Sequence, residues 1–199
     1  MKSYRVNEIF YSLQGEGGRA GEASIFVRFS GCNLTCSEAV EGFDCDTEFT
    51  SGVSMTAEEI IAACTRAAPH CEWIVWTGGE PSLQLDADLV SAVIEAGYWQ
   101  AIETNGTREL PVGLDYICVS PKTGEHTLKV SDAQEVKYVR NAGQGIPKPT
   151  IKAERRYLSP AFHPDGTVDR SSLQHCIELC KLFPSWRLSC QQHKWWRVR

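Results

Sequence analysis

Short apolar runs alternate with helix-like segments along most of this chain, and this alternation strongly limits the folds that it can adopt. The runs are rich in branched and aromatic residues, which is typical of buried strands. They lie at residues 24–29, 73–76, 98–103, 115–119, 135–139, 156–159 and 186–191. Three helices are predicted between them: one after the capping box of Thr56 and Glu59, one over 86–96 and one that begins near 171.

Strands that are separated by helices favour parallel pairing through right-handed crossovers. About six parallel strands and three main helices are too few for a complete eightfold barrel. We therefore predict an α/β fold, a partial (β/α) barrel that residues 1–199 form as a single domain. Residues 31–52 show little periodicity and are predicted to form a long functional loop. Polar and glycine-rich segments at 77–81, 104–106 and 120–122 directly follow predicted strands. They should therefore meet at the carboxyl end of the sheet.

Composition narrows the classes of partner and compartment. The net charge of -5 comes without a basic stripe, so we do not expect a nucleic acid as partner. No stretch approaches the about 20 apolar residues of a membrane span, and the N-terminus does not resemble a secretory signal. The chain is therefore predicted to be cytoplasmic, where thiols stay reduced. Its nine cysteines, an odd number, then favour metal binding or catalysis over a disulfide framework.

Three of the cysteines share the 31–52 loop and form the strongest candidate site. Cys32 and Cys36 are separated by three residues, and Cys45 follows after eight more. Iron–sulfur clusters are held mainly by thiolates, and three ligands on a four-iron cluster leave one iron open to a small molecule. A structural zinc usually takes a fourth protein ligand, and the next candidates are Cys64 and His70. The spacing alone leaves a cluster, a zinc ion and plain buried cysteines all open.

Motifs on both sides of these cysteines carry a family resemblance. A Cys-x3-Cys pair with a third cysteine, after a strand and near the N-terminus, resembles the radical S-adenosylmethionine superfamily. Within it, the chain resembles the 7-carboxy-7-deazaguanine synthase family over nearly its whole length and in the same order. The motifs are Gln14-Gly15-Glu16-Gly17, Phe26-Val27-Arg28-Phe29, Gly31-Cys32-Asn33-Leu34, Cys45-Asp46-Thr47, Thr77-Gly78-Gly79-Glu80-Pro81, Glu103-Thr104-Asn105-Gly106, Val119-Ser120-Pro121-Lys122, Trp186-Arg187-Leu188-Ser189, Gln191 and His193-Lys194.

The resemblance implies a radical S-adenosylmethionine lyase. Members convert 6-carboxy-5,6,7,8-tetrahydropterin to 7-carboxy-7-deazaguanine with loss of ammonia, a step towards queuosine, by means of a 5′-deoxyadenosyl radical. It also implies a 4Fe-4S cluster on Cys32, Cys36 and Cys45, S-adenosylmethionine on its open iron, and Mg²⁺ on Thr47. The implied contacts to S-adenosylmethionine are Asp44, Cys45, Asp46, Gly79, Glu80, Glu103, Asn105, Ser120, Pro121, Lys122 and Ser159. Those to the pterin are Leu13, Gln14, Gly15, Arg28 and Thr77.

One departure concerns the spacing of the cysteines. The family commonly has two residues between its second and third cluster cysteines, whereas here there are eight, from Ser37 to Asp44. Because Cys36 directly precedes this expansion, its alternative interpretation is a thiol that does not bind the cluster. The resemblance further implies a flavodoxin-type electron donor and a homodimer, and Trp195-Trp196 could either close the pocket or line the dimer interface.

Two other functions compete with the synthase. One is an activase that uses the same cofactors to form a glycyl radical on a partner enzyme. The motif at 13–17 and Arg28 argue against it, because they suit a small acidic substrate. The other is a zinc-binding interaction module without enzymatic activity. Cys64, Cys176 and Cys180 occupy apolar helical positions and are predicted to pack as small hydrophobic residues rather than to bind metal.

Overall fold

The fold is described from a computed structural model, over residues 2–36, 48–163 and 165–199. Within these ranges, nine strands form one sheet in the order β3-β1-β2-β4-β5-β6-β7-β8-β9. The strands are β1 Tyr4–Leu13, β2 Ala23–Phe29, β3 Val53–Met55, β4 Trp73–Gly78, β5 Trp99–Thr104, β6 Tyr116–Val119, β7 Asp132–Arg140, β8 Lys152–Pro160 and β9 Trp186–Leu188. The α-helices are α1 Ala57–Ala67, α2 Ala87–Glu95, α3 Arg170–Leu182 and α4 Gln192–Trp196.

The sheet is the predicted open, partial (β/α) barrel. Strand β2 and the strands from β4 to β9 run parallel, while β1 pairs antiparallel with β2, and β3 antiparallel with β1. The described residues thus contain seven parallel strands where about six were predicted, and two antiparallel strands, β1 and β3, that were not. The last predicted strand, 186–191, ends at Leu188 and is followed by the short helix α4. None of the helices in the described ranges has the length and apolar character needed to cross a membrane.

The three predicted helices are confirmed, and the first begins as its sequence indicates. The Thr56 hydroxyl accepts a hydrogen bond from the Glu59 amide at 3.3 Å, and the Glu59 carboxylate accepts one from the Thr56 amide at 2.8 Å. This reciprocal pair satisfies two amides that have no partner within the helix. Helix α2 begins at Asp86, whose side chain accepts from the Leu89 amide at 3.0 Å.

One face of the sheet packs against the helices and is mostly apolar, although it includes the buried Gln100, which accepts from the Trp76 indole N–H and donates to the Val90 carbonyl. Helices α1 and α2 cover it with Ile60, Cys64, Leu89 and Val93, and α3 covers the β7–β8 side with Cys176. The strands contribute Ile25, Val27, Phe29, Ile74, Trp76 and Ile102, all fully buried. Each such side chain stabilises the fold by about 1.5–3 kcal/mol relative to exposure. The prediction that Cys64 and Cys176 act as small core residues is confirmed, and Cys180 packs at the edge of the same core.

The other face lines the interior of the partial barrel and is divided into two tiers. Its lower tier, at the amino ends of the parallel strands, is an apolar cluster of Phe10, Phe26, Val75 and Ala101. The rings of Phe10 and Phe26 stack with their centroids 5.0 Å apart. Because alternate residues of a strand share a face, the next inward positions form a second tier. That tier is polar: it contains Arg28, Thr77, Glu103, Cys118 and Glu135, which neighbour one another across the strand register.

Candidate active site

A cavity of about 470 Å³ opens at the carboxyl ends of the parallel strands, above the polar tier. This is the edge of the sheet at which the sequence placed its motifs. Residues of the predicted motifs after β4, β5 and β6 contribute to its wall, as does Ser159 at the end of β8. Of the predicted site residues, Cys32, Cys36, Thr77, Gly79, Glu80, Glu103, Asn105, Ser120, Lys122 and Ser159 line it. The prediction that these motifs converge is therefore confirmed by their common cavity.

The Gly-Gly-Glu turn after β4 packs directly against the start of the cysteine loop. The Glu80 amide donates to the Gly31 carbonyl at 2.9 Å. A Cβ atom on Gly79 would overlap that carbonyl oxygen and approach the Cys32 Cβ atom to 2.9 Å. Gly78 has a backbone φ of 134°, a conformation that residues other than glycine rarely adopt. The turn therefore needs both glycines, and it fixes Cys32 beside the cavity.

Glu80 determines the shape of this turn. Its side chain is buried, and one carboxylate oxygen accepts from the Thr104 hydroxyl at 2.7 Å and the Ser82 amide at 3.0 Å. The other oxygen accepts from the Asn105 amide at 2.7 Å. These bonds tie the end of β4 to the end of β5. A carboxylate has about four acceptor positions. Three of them are used in the turn, so Glu80 can still accept a hydrogen bond from a ligand ammonium.

Asn105 links the cysteine loop to β5. Its side-chain amide donates to the Asn33 side chain at 3.0 Å, and its carbonyl oxygen accepts from the Thr107 amide at 3.0 Å. Asn33 follows Cys32 in the chain, so the end of β5 helps to fix the loop. The Asn105 side chain is buried and bridges two of the predicted motifs, so this segment does more than connect two strands.

The floor of the cavity carries charge. Glu103 accepts from the Gln14 side chain and from the Thr77 hydroxyl, both at 2.9 Å. Beside it, the Lys137 ammonium contacts the Glu16 carboxylate. Burial alone would raise the pKa of Glu16, but the charge and hydrogen bond of Lys137 outweigh it and lower that pKa to about 2. The charge of Glu16 likewise outweighs burial at Lys137 and raises its pKa, so both groups stay ionised.

Comparison with known proteins identifies the family to which this site belongs. No protein-family model matches the chain. A 7-carboxy-7-deazaguanine synthase from Caulobacter vibrioides is 41% identical, covering 97% of this chain and 98% of that protein. One from Bacteroides thetaiotaomicron is 41% identical over 96% of both chains, and one from Bordetella pertussis is 38% identical over 97% of this chain and 98% of its own. The chain belongs to the 7-carboxy-7-deazaguanine synthase family.

The fold agrees with this assignment. The crystal structure of QueE from Escherichia coli superposes with a TM-score of 0.70, at 24% identity, over 96% of this chain and 95% of that one. The predicted radical S-adenosylmethionine type of partial barrel is therefore confirmed. So are the enzyme class and, with it, a 4Fe-4S cluster and S-adenosylmethionine as cofactors. Membership in the synthase family also removes the reason to consider an activase or a zinc-binding module.

Some predicted residues of this family site lie near the cavity but not in its wall. Arg28 is on the inner face next to Thr77, where its Nε donates to a Glu8 carboxylate oxygen at 3.0 Å. Leu13 ends β1 with 37% of its side chain exposed, and Pro121 is buried. Gly15 faces the His193 ring so closely that a Cβ atom would overlap it. Asp44, Cys45, Asp46 and Thr47 lie outside the described residues, so their roles stay predictions.

The structure adds residues to the site that sequence reasoning did not single out. Lys137, Glu16, Cys118 and Gln191 line the cavity, although only two of them occur in a quoted motif and neither was given a role there. The sequence offered one signal for Lys137: Glu135 and Lys137 alternate with Val136 and Tyr138, so one face of β7 is charged. The segment after β9 also reaches the site, since the Gln192 amide donates to the Gly15 carbonyl at 3.0 Å.

Proposed function

We propose that this chain converts 6-carboxy-5,6,7,8-tetrahydropterin to 7-carboxy-7-deazaguanine, with loss of ammonia, in the formation of a queuosine precursor. The observation that carries this proposal is the single cavity that Cys32, Cys36 and the Gly-Gly-Glu turn share with a charged floor. The family relatives, which cover almost the whole chain, support it.

The described cysteines fit a cluster. Cys32 and Cys36 both line the cavity, and Gly79 leaves room beside Cys32 that no other residue would leave. Thiolates are the usual ligands of iron–sulfur clusters, and Cys45 is the proposed third. When bound, the cluster and S-adenosylmethionine supply a 5′-deoxyadenosyl radical for hydrogen abstraction. Cys32 and Cys36 would hold the cluster at the loop side of the cavity, and among the described residues Cys118 is the only other cysteine in its wall.

The remaining wall would hold S-adenosylmethionine. We assign its methionyl end to the Gly79 backbone, with Glu80 accepting from the ammonium, and assign further contacts to the segments 44–46 and 120–122. Lys122 donates to the Ser120 hydroxyl at 3.0 Å, so this segment presents a charged and a neutral donor together. Glu103, Asn105 and Ser159 complete the assignment on neighbouring strand ends.

The pterin would bind towards the floor. Thr77, Gln14 and Glu103 are joined by hydrogen bonds there, and the apolar tier beneath them excludes water from that side. Leu13 and Gly15 would contribute backbone contacts. Arg28 would bind the substrate carboxylate, since a guanidinium can pair with a carboxylate through two hydrogen bonds. Thr47 would ligate Mg²⁺ together with that carboxylate, because Mg²⁺ prefers hard oxygen ligands and keeps several waters.

The proposal extends to the assembly and its partners. We propose a homodimer in which residues 1–199 of each chain act as one cytoplasmic domain, with electrons delivered by a flavodoxin-type protein. Trp195 and Trp196 are 53% and 40% exposed in the single chain. Large exposed aromatic side chains are enriched at protein interfaces, which supports a role for α4 in the dimer rather than in closing the cavity.

A product assay tests the proposed function. The protein is purified and reconstituted with iron and sulfide without oxygen, reduced, and incubated with the carboxypterin, S-adenosylmethionine and Mg²⁺. We expect 7-carboxy-7-deazaguanine and ammonia in equal amounts, detected by mass spectrometry and an ammonia assay. Cleavage of S-adenosylmethionine without formation of the deazapurine would contradict the assigned substrate, and iron-free protein with one zinc per chain would contradict the cofactor.

A further inference from the structure

Two oppositely charged side chains meet at the floor of the cavity, from elements that are far apart in the chain. Lys137 occupies an inward position of β7, and Glu16 lies in the turn that follows β1. Their side chains are only 11% and 15% exposed, and both line the cavity. Buried ion pairs are a poor source of stability, because desolvation offsets most of their attraction. A role in binding explains their position better than a role in folding does.

The pair is a fixed arrangement of donors and acceptors. Both groups remain ionised, as described above, so Lys137 keeps three N–H donors and Glu16 keeps only acceptors. Glu16 uses one carboxylate oxygen to contact Lys137 and thereby holds the ammonium in place. Glu103 stands on the same floor, where its charge also acts on Lys137. The floor therefore offers two carboxylates, Glu16 and Glu103, near one cationic donor.

We propose that Glu16 and Lys137 recognise the pyrimidine edge of the bicyclic substrate. This inference rests on the proposed function. A 2-amino-4-oxopyrimidine presents an amine donor, a ring N–H donor and a carbonyl acceptor in a row. A carboxylate next to an ammonium is the complement of that row: Glu16 accepts from the amine and the ring N–H, while Lys137 donates to the carbonyl oxygen.

The chemistry of the reaction gives this assignment a distinctive consequence. Ring contraction changes the other ring, so the edge that Glu16 and Lys137 contact is the same in substrate and product. Interactions that are equal in the ground state and the transition state change KM and leave kcat nearly unaltered. The pair should also reject a 2-oxo analogue, because a carbonyl in place of the amine sets an oxygen against the buried Glu16 carboxylate.

Two ligands and one neutral variant test the proposal. The ligands are pterin-6-carboxylate and lumazine-6-carboxylate, which differ in the 2-amino and 2-oxo groups and whose binding to the reconstituted holoenzyme is followed by fluorescence. The variant is Glu16→Gln/Lys137→Gln, which removes both charges together and so avoids leaving one of them buried and unpaired. The control is Glu125→Gln, a carboxylate outside the cavity that accepts from the Tyr138 hydroxyl at 2.5 Å.

We expect the wild-type protein to bind the pterin at least about tenfold more tightly than the lumazine. In the double variant this preference should vanish and the KM for the carboxypterin should rise about tenfold, with kcat within about threefold of the wild type. The control should keep the wild-type preference and KM. Circular dichroism and the affinity for S-adenosylmethionine report whether the variant is folded.

Several results would overturn the proposal. Equal affinities of the wild-type protein for the two ligands would do so without any variant, even if the double variant failed to fold. A folded double variant with the wild-type KM, or one that lost kcat at unchanged KM, would also do so. If the wild-type protein binds the pterin selectively but forms no deazapurine, the proposed function fails while the recognition by Glu16 and Lys137 stands.

Discussion

The two faces of the same strands differ in what they bury. On β4, Ile74 and Trp76 point towards the helices, while Val75 and Thr77 point into the partial barrel. The helix-covered face is mostly apolar, and its buried Gln100 has both its acceptor and its donor satisfied by Trp76 and Val90. The inner face is apolar only up to Val75 and becomes polar one tier higher, at Thr77 and its neighbours. Since both faces belong to the same strands, the difference is made by alternate residues alone.

The helix-covered face therefore contributes most to the stability of the fold, and the inner face carries the residues of the candidate active site. Burial of apolar side chains against α1 and α2 supplies a large favourable contribution, and few polar groups interrupt it. At and above the polar tier, the inner face contains buried charged groups such as Glu135 and Lys137, which are costly to bury. The predictions that follow test whether the two faces can be perturbed separately.

The largest effect is expected from the cysteines on opposite sides of the sheet. Cys32→Ser removes a proposed cluster ligand, so we expect loss of iron from the reconstituted protein and no detectable product. Cys64→Ala removes a fully buried thiol from the helix side and should keep four irons per chain with a loss of about 1–2 kcal/mol in the free energy of unfolding. Iron analysis and the product assay measure these effects. Equal iron content in the two variants would contradict the different roles assigned to Cys32 and Cys64.

A core truncation on the helix-covered face should lower stability and leave the chemistry intact. Leu89 is fully buried on α2, so Leu89→Ala should reduce the free energy of unfolding by about 2–5 kcal/mol, through lost burial and a cavity. Urea unfolding measures this loss. At a temperature where the variant is folded, the KM values for the carboxypterin and for S-adenosylmethionine should equal those of the wild type. A large change in either KM would show that the two faces of the sheet are coupled.

A smaller loss of stability is expected from a substitution of Glu80, a residue that contributes both to the turn after β4 and to the proposed cofactor site. In Glu80→Gln the amide cannot accept all three hydrogen bonds from Thr104, Ser82 and Asn105. We expect a loss of about 1–3 kcal/mol in the free energy of unfolding together with weaker binding of S-adenosylmethionine. Calorimetric titration of the reconstituted protein measures the affinity. An unchanged affinity would mean that the turn does not contribute to the cofactor site.

The smallest effect is expected at the first turn of α1. Thr56→Ala removes one half of the capping box and should cost about 1 kcal/mol of stability. The helix lies on the far side of the sheet from the cavity, so kinetic constants should stay unchanged. Thermal unfolding and steady-state kinetics check the two halves of this prediction, and a shift in KM would be inconsistent with it.

Several parallel strands could be predicted because each combines an apolar run with a strand-end motif. Strand β4 is an example, with Trp73 to Trp76 followed by the Gly-Gly-Glu turn. Strand β1 was missed because polar residues such as Asn7 and Glu8 interrupt its apolar positions. The three residues of β3 form a strand only because Val53, Ser54 and Met55 pair with β1, and such pairing has no local sequence signal.

The site could be predicted where it rests on motifs and not where it rests on contacts between distant residues. Thr77 and Glu103 were assigned from their motifs, and the structure joins them by a hydrogen bond. The contact of Lys137 with Glu16 spans 121 positions in the chain. It depends on β7 and the turn after β1 meeting inside the barrel, which no spacing rule anticipates. Lys137 was therefore visible only as an unusual residue in a buried strand.

The account depends on a cluster held by three cysteines with one iron open to S-adenosylmethionine. Electron paramagnetic resonance of the reduced, reconstituted protein tests this most directly, with iron and zinc determined on the same sample. We predict about four irons per chain, as for a 4Fe-4S cluster, and a reduced-cluster signal that changes when S-adenosylmethionine is added. A signal indifferent to S-adenosylmethionine, or zinc in place of iron, would contradict the account.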